Sequence, residues 1–401
     1  MPSRVFKAFH YRDFRLMWMG ACISTIGTLM QQFAQAWVVY KLSGSPFYLG
    51  LDSFLGQAPI VLFSLFGGVF ADRANRRAIL IGSQIIQMTC AFLLTVLFYF
   101  QVIQVWHILC LSFVVGFAQS FGGPAYQALI PTLVEPDDLP NAIALNSIQF
   151  NLARIIGPVL GGVALIKLTA TWCFGLNGIS YIAVILSLLV IRPRFNPGRP
   201  TTGMLESMRE GFRFIRHQPS MGSLLVLAFS MTLLGAPLIT FLPVFAEAVF
   251  HSGPGTYSEL LVWTGAGSVI GALTVAWLGK AKNLENLVLY TLILLGALVA
   301  GFALSKSFVL SCALIFFSGA ALISAFAMNS SVVQLIVSDQ MRGRVMSVYS
   351  LAFRGGMPIG GLIVGALIPR FTAPAVLAWN GILLTILGLY FLVMQRREAA
   401  L

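Results

Sequence analysis

The stretch Gly68-Val69-Phe70-Ala71-Asp72-Arg73-Ala74-Asn75-Arg76-Arg77 is a short charged turn set between two long apolar runs. The run before it, Phe47 to Phe70, and the run after it, Ala78 to Phe100, are each long enough to cross a bilayer, which takes about 20 apolar residues. A turn this short that carries Arg73, Arg76 and Arg77 belongs on the cytoplasmic side by the positive-inside rule. It thereby fixes the direction of both neighbouring helices.

The rest of the chain repeats this pattern. Of 401 residues, 58% are hydrophobic and 9% charged, with a mean hydropathy of +0.88, which excludes an ordinary soluble protein. Twelve apolar segments follow one another: Phe14 to Tyr40, Phe47 to Phe70, Ala78 to Phe100, Trp106 to Ala128, Asn141 to Ile166, Cys173 to Ile191, Gly222 to Phe250, Tyr257 to Gly279, Leu287 to Leu304, Phe308 to Ser331, Arg344 to Ile368, and Pro374 to Met394. Ala34-Gln35-Ala36 imitates a signal-peptide cleavage site, but the apolar run continues through Trp37 to Tyr40, so the segment reads as a first transmembrane helix.

The formal charge of +12 is a topology signal rather than a nucleic-acid footprint, because the basic residues are scattered through short loops. With the Gly68 to Arg77 turn inside, only Lys41, Lys167, Lys306 and Arg370 fall outside, and Arg154 and Arg354 fall mid-span; the rest of the 25 basic residues are internal. Both termini are therefore expected on the cytoplasmic side of the inner (plasma) membrane. The five cysteines lie in apolar runs without a Cys-x-x-Cys spacing, and the four histidines are far apart, so neither metal nor cofactor is expected.

Residues Arg192 to Ser220 form the longest polar stretch, opened by Pro193, Pro197 and Pro200. It divides the chain into an N-terminal six-helix half (1–192), a linker (193–219) and a C-terminal six-helix half (220–401). In the linker Met204, Met208, Phe212 and Ile215 recur at helical spacing, with Arg209, Arg213 and Arg216 on another face. Such a helix lies on the inner membrane surface or packs as a plain linker on the protein.

The two halves echo each other. An offset of 200 superposes Ser147 on Ser347, Arg154 on Arg354, Pro158 on Pro358 and Gly161 on Gly361, all on one helical face. A mid-span guanidinium costs about 2.5–3.5 kcal/mol unless it faces protein or water. Two roles stay open for Arg154 and Arg354: contact with a transported compound, or holding of neighbouring amides and carbonyls such as those of Gln149 and Asn151.

With these motifs in view, the chain resembles a transporter of the major facilitator superfamily over nearly its whole length. Gly68-x-x-x-Asp72-Arg73-x-Asn75-Arg76-Arg77 is similar to the signature between that superfamily's second and third helices, with Asn75 where Gly is usual; Asn tolerates the left-handed turn conformation that Gly supplies. Arg154 with Gly157-Pro158-x-x-Gly161-Gly162 resembles the core of the antiporter motif, although Ala153 replaces an expected glycine. Leu139-Pro140-Asn141-Ala142, Arg342-Gly343-Arg344-Val345-Met346-Ser347 and Glu210-Gly211-Phe212-Arg213-Phe214 are similar to the drug-export branch that includes macrolide and enterobactin exporters.

The resemblance implies an all-α polytopic membrane protein of twelve helices in two pseudo-symmetric bundles, working by alternating access as a monomeric, proton-coupled exporter. It implies a latch in which Asp72 faces the start of the eleventh span near Met341 to Arg344, Gly68 allows close approach, and Arg76 or Arg77 meets Glu135, Asp137 or Asp138; the other reading is that Asp72 and its arginines only cap helices and anchor topology. The substrate, a small amphipathic organic compound, would meet Gln31, Gln35, Gln57, Gln119, Asn146, Gln149 and Arg354, although such amides also serve as interhelical hydrogen-bond partners. Asp52 is the candidate carboxylate for proton coupling, with solvation at a helix end as its other reading. A lipid flippase of the same fold is the alternative transport reading. An integral membrane enzyme and a nucleotide-driven pump are disfavoured, since the sequence has no His-Glu-x-x-His, Gly-x-Ser-x-Gly or Gly-x-x-x-x-Gly-Lys-Ser/Thr.

Overall fold

The computed structural model describes residues 6–192, 204–279 and 283–398, and among these the regular structure is helical. The helices of the first part are α1 (Arg12–Ser43), α2 (Pro46–Arg73), α3 (Arg76–Tyr99), α4 (Val105–Leu129), α5 (Leu139–Lys167) and α6 (Ala170–Val190). The linker helix α7 (Met204–Arg216) is followed by α8 (Pro219–Ser230), α9 (Pro254–Leu278), α10 (Leu284–Leu304), α11 (Phe308–Ile336), α12 (Asp339–Leu367) and α13 (Ala373–Glu398). The stretch with Pro193, Pro197 and Pro200, the side chains of Met204 and Met208, and Lys280 and Lys282 lie outside the described residues.

Among the described residues, eleven helices are long and apolar enough to cross a membrane. α1 is the exception. Its 32 residues reach about 48 Å at the usual rise of about 1.5 Å, but Thr25, Thr28, Gln31, Gln32 and Gln35 make it the more polar helix. It is packed along both α5 and α6, which explains how a polar helix is tolerated there. Large apolar side chains such as Phe66, Leu186, Leu273 and Val309 cover the outside of the helices, the arrangement expected where the solvent is lipid.

The seventh span is not a uniform helix. After α8 it widens into a π-helical turn at Met231–Gly235, passes through Pro237–Thr240 and Leu242–Val244, and widens again at Phe245–Val249. Pro237 and Pro243 remove two main-chain donors, and the freed carbonyls require a local change of winding.

The chain forms two compact units, Met1–Ser43 with Leu55–Thr201 and Gly44–Phe54 with Thr202–Leu401. The first residues of α2 thus belong with the second unit, because α2 and α12 touch backbone to backbone at Gly50 and Gly361. Helix pairings repeat within the units: α3 packs on α6 as α10 packs on α13, α3 on α4 as α10 on α11, and α1 on α5 as the seventh span on α12. In the first unit, Phe14, Met17, Leu80, Leu129, Leu145 and Val184 form a core that also takes in Ala8, in the single turn Lys7–His10 ahead of α1.

α7 packs against α12 and α8, with Glu210 ion-paired to Arg344. Phe214 and Ile215 are half-buried, whereas Phe212 is exposed beside Arg209, Arg213 and Arg216. Phe212 is thus not on a face apart from the arginines, as the sequence pattern suggested: it stands three residues after Arg209 and four before Arg216 and shares their surface.

Candidate functional site

The signature stretch is more helical than a turn. α2 runs through Arg73 and α3 starts at Arg76, leaving only Ala74 and Asn75 between them. Asn75 is not left-handed; its φ of −66° and ψ of 103° are those of a helix N-cap, and its side chain accepts from the main-chain N–H of Arg77 at 3.1 Å and of Ala78 at 3.3 Å. Asparagine therefore stands here because it satisfies orphan donors at the start of α3.

The flanking arginines serve helix ends. Arg76 donates to the Ala128 carbonyl at 3.0 Å. Arg77 donates to Ile191 at 3.0 Å and to Leu189 at 2.7 Å, capping the last turn of α6 rather than reaching the acidic loop. That loop is held otherwise: Asp138 lies 3.7 Å from Lys7 and accepts from the Tyr11 hydroxyl at 2.9 Å, while Asn141 accepts the Ala8 N–H at 2.9 Å. The bond to Asp138 pushes the Tyr11 phenol above its ordinary pKa.

Gly68 does not mediate a close approach within the described residues, since a Cβ built there meets nothing within 4 Å. Gly67 does, against the Ser120 carbonyl of α4. Pro124 has no N–H to offer that carbonyl four residues back, and the bare backbone of α2 seats on it. The side chains of Asp72 and Arg73 lie outside the described residues.

α5 carries Arg154, Gly157, Pro158, Gly161 and Gly162 and packs on α1 and α6. Gly157, Pro158, Gly161 and Gly162 are buried. A Cβ on Gly157 would stand 2.7 Å from Leu29 Cβ and 3.1 Å from the Met30 nitrogen, and one on Gly161 would stand 2.5 Å from the Phe33 ring. In α12 the corresponding seats are Gly356 and Gly360, against Phe229, Thr232 and Leu233 of the seventh span. The seats are thus 199 residues apart, one fewer than the spacing that aligns the arginines and prolines.

Arg154 is half-buried, with its guanidinium carbon 5.1 Å from the centre of the Phe150 ring. Among the described residues it makes no ion pair. Arg354 is exposed on α12. Pro158 and Pro358 each lie four residues after these arginines, so in both helices the arginine's own carbonyl lacks its normal donor.

The candidate amides form an interhelical network in the first unit. Gln31 accepts from Asn177 at 2.7 Å, and Gln35 donates to Ser112 at 2.9 Å. Gln149 donates to Thr25 at 2.9 Å, while Asn146 accepts from the Tyr126 hydroxyl at 2.7 Å. Gln119 accepts from Gln87 at 3.1 Å, Gln87 accepts from Tyr181 at 3.3 Å, and Tyr181 meets Thr28 at 3.2 Å. This chain crosses α4, α3, α6 and α1. Gln57 is half-buried on α2 and takes no part in it.

Gln31 and Gln149 are buried, so their amides tie helices together, whereas Gln119 is exposed. Tyr126, Tyr181, Gln87 and Asn177 were not legible as network members, because nothing in their local sequence marks the helix they meet.

The second unit is built differently. Phe326 stacks on Phe353 with ring centres 3.9 Å apart and lies 6.4 Å from Tyr349. Asn329, fully buried beneath them, donates to the Leu224 carbonyl at 3.0 Å and lies 3.3 Å from the Tyr349 hydroxyl. Aromatic residues at helical spacing ordinarily read as core, which is why this cluster beside Arg354 has no signature. Trp379, on the last helix, is exposed. Asp52 is half-buried in α2, Glu247 sits in the second π-helical turn, and Glu259 is exposed on α9.

The helix order, the apolar exterior and the repeated pairings define a polytopic membrane transporter of the major facilitator superfamily. The chain belongs to the family described as transmembrane secretion effectors, whose pattern it matches over residues 4–400. It is similar to macrolide efflux protein A of Streptococcus pyogenes, 25% identical over 377 residues and covering 88% of both chains. It is also similar to the enterobactin exporter EntS of Escherichia coli O1:K1 / APEC, 25% identical over 391 residues, or 95% of this chain and 91% of that one.

Among solved structures, a bacterial homologue of the human lysosomal transporter Spinster, inward-facing and occupied, superposes with a TM-score of 0.74 at 16% identity, over 96% of this chain and 97% of that one. The nucleoside transporter NupG gives 0.71 at 16% identity, over 94% and 98%. These likenesses show the fold. The relatives and structural neighbours are transporters, not enzymes.

Proposed function

We propose that the protein is a proton-coupled exporter of amphipathic organic compounds, resident in the inner membrane with both termini cytoplasmic. The observation that carries this reading is Arg154: a guanidinium midway along a membrane-spanning helix, resting on the Phe150 ring and without an ion pair among the described residues. Such a charge is costly in a membrane unless a partner or water meets it, and an aromatic face beside a cation suits a compound with acidic or carbonyl groups on an apolar body. The relatives named for macrolide efflux and enterobactin export support export over uptake.

Alternating access requires two states separated by a few kcal/mol. Asp72 remains the candidate for setting that balance. Asp52 is the proposed coupling carboxylate.

The deciding experiment is transport by the purified protein in liposomes, across macrolides, catecholate siderophores, lysolipids and lipophilic cations, with and without an imposed pH gradient. Movement of at least one amphipathic organic compound is expected, faster with the gradient, and reduced tenfold or more in Arg154→Gln while Arg154→Lys keeps part of the rate. Transport of lysolipids alone would replace this reading with a flippase. Equal rates for wild type and Arg154→Gln would remove Arg154 from recognition.

A further inference from the structure

The linker helix carries a basic concavity that the transport reading does not use. Arg209, Phe212, Arg213, Arg216 and His217 line a cavity of about 460 Å³. The four polar members are exposed, and the His217 Nδ1 lies 2.7 Å from the Arg213 carbonyl, which holds the ring against the helix end. No carboxylate lines the cavity among the described residues. Glu210, the acidic residue within this run, is turned to α12, where it pairs with Arg344.

Two further features narrow what the cavity would hold. Arg216 lies five residues before Met221, where a membrane-spanning segment begins, so the concavity sits at a membrane boundary. Phe212 is 49% exposed in the middle of the arginines. A cationic surface that needed only water or a small inorganic anion would gain nothing from an exposed phenyl ring, whereas at a bilayer surface the ring enters the acyl boundary while the guanidinium groups meet phosphates.

We propose that this concavity binds the headgroup of an anionic phospholipid. Arg209, Arg213 and Arg216 contact the phosphate, and Phe212 lies against the adjoining acyl chain. Because Glu210 fastens α7 to the first turns of α12, the helix that also carries Arg354, occupancy by lipid bears on the element that the second unit contributes to transport.

The test uses the full chain, purified in neutral detergent at fixed concentration and titrated with dioctanoyl phosphatidylglycerol, dioctanoyl phosphatidylcholine and inorganic phosphate by microscale thermophoresis. Phosphatidylglycerol is expected to bind more tightly than either of the others. About a fivefold loss per arginine is expected from the worth of one basic residue at an anionic surface, so the R209Q/R213Q/R216Q variant should lose on the order of 100-fold while R209K/R213K/R216K stays within a few-fold of wild type. Phe212→Ser should weaken phosphatidylglycerol and leave phosphate unchanged. Should the triple glutamine variant aggregate, Arg213→Gln alone gives the same readout at about fivefold. Undiminished phosphatidylglycerol binding in the glutamine variants would overturn the proposal, as would phosphate binding as tightly as the lipid with no effect of Phe212→Ser.

Discussion

Replacing Gly157 by alanine tests whether α5 is held to α1 by backbone contact. The added methyl would stand 2.7 Å from Leu29 Cβ and 3.1 Å from the Met30 main-chain nitrogen, and neither can move aside by a rotamer change. Overpacking of this kind costs about 1–3 kcal/mol. Against it, alanine in a helix interior is favoured over glycine by about 0.5–1 kcal/mol. The net is a destabilisation of up to roughly 2.5 kcal/mol, which lowers Tm by up to roughly 10 °C for a unit of this size. Gly68→Ala is the internal control, because a methyl there meets nothing within 4 Å. It should keep or raise Tm, by up to about 4 °C. Thermal unfolding of both variants in the same detergent, followed by intrinsic fluorescence, makes the comparison. An unchanged Tm in Gly157→Ala together with a lowered one in Gly68→Ala would refute the assignment of which glycine is a contact and which is merely a helix residue.

Other expectations follow from the same geometry. Asn75→Ala should cost about 0.5–2 kcal/mol through loss of the cap on α3, while Asn75→Gly costs only a few tenths; if glycine proved the better residue by stability and alanine neutral, the N-cap account would be wrong. Asn177→Ala removes the donor to Gln31 and should lower stability by about 0.6–1.7 kcal/mol, the range of interhelical hydrogen bonds in membranes, with little change in which compounds are transported; a changed substrate profile at wild-type stability would instead place this pair in recognition. Asp52→Asn should abolish the dependence of transport on an imposed pH gradient in liposomes. Gradient dependence that survives the substitution removes Asp52 as the coupling carboxylate.

Much of the membrane plan was legible because hydropathy and charge are additive along the chain. Segments of about 20 apolar residues imply spans whatever they pack against, so the boundaries of α3, α6 and α10 fall within a few residues of those read from the sequence. α1 was also visible, but as an apolar run, and its polar residues turn out to be turned to α4, α5 and α6 through Gln35, Gln149 and Asn177. The mid-span arginines announced themselves by cost alone. The widened turns of the seventh span did not, since Pro237 and Pro243 signal a break in hydrogen bonding without saying how the backbone resolves it.

By itself the sequence determined that the chain spans a membrane many times and repeats in halves, and its motifs pointed to the superfamily, because each of these is a property of short windows or of fixed spacing. Only the tertiary structure decided what the singled-out polar residues do. Gln31 meets a partner 146 residues away, Gln149 one that is 124 residues away, and Arg77 caps a helix end 112 residues on. A side chain's hydrogen-bond capacity is written in its type, but its partner is set by which helices pack, and packing is a property of the whole bundle.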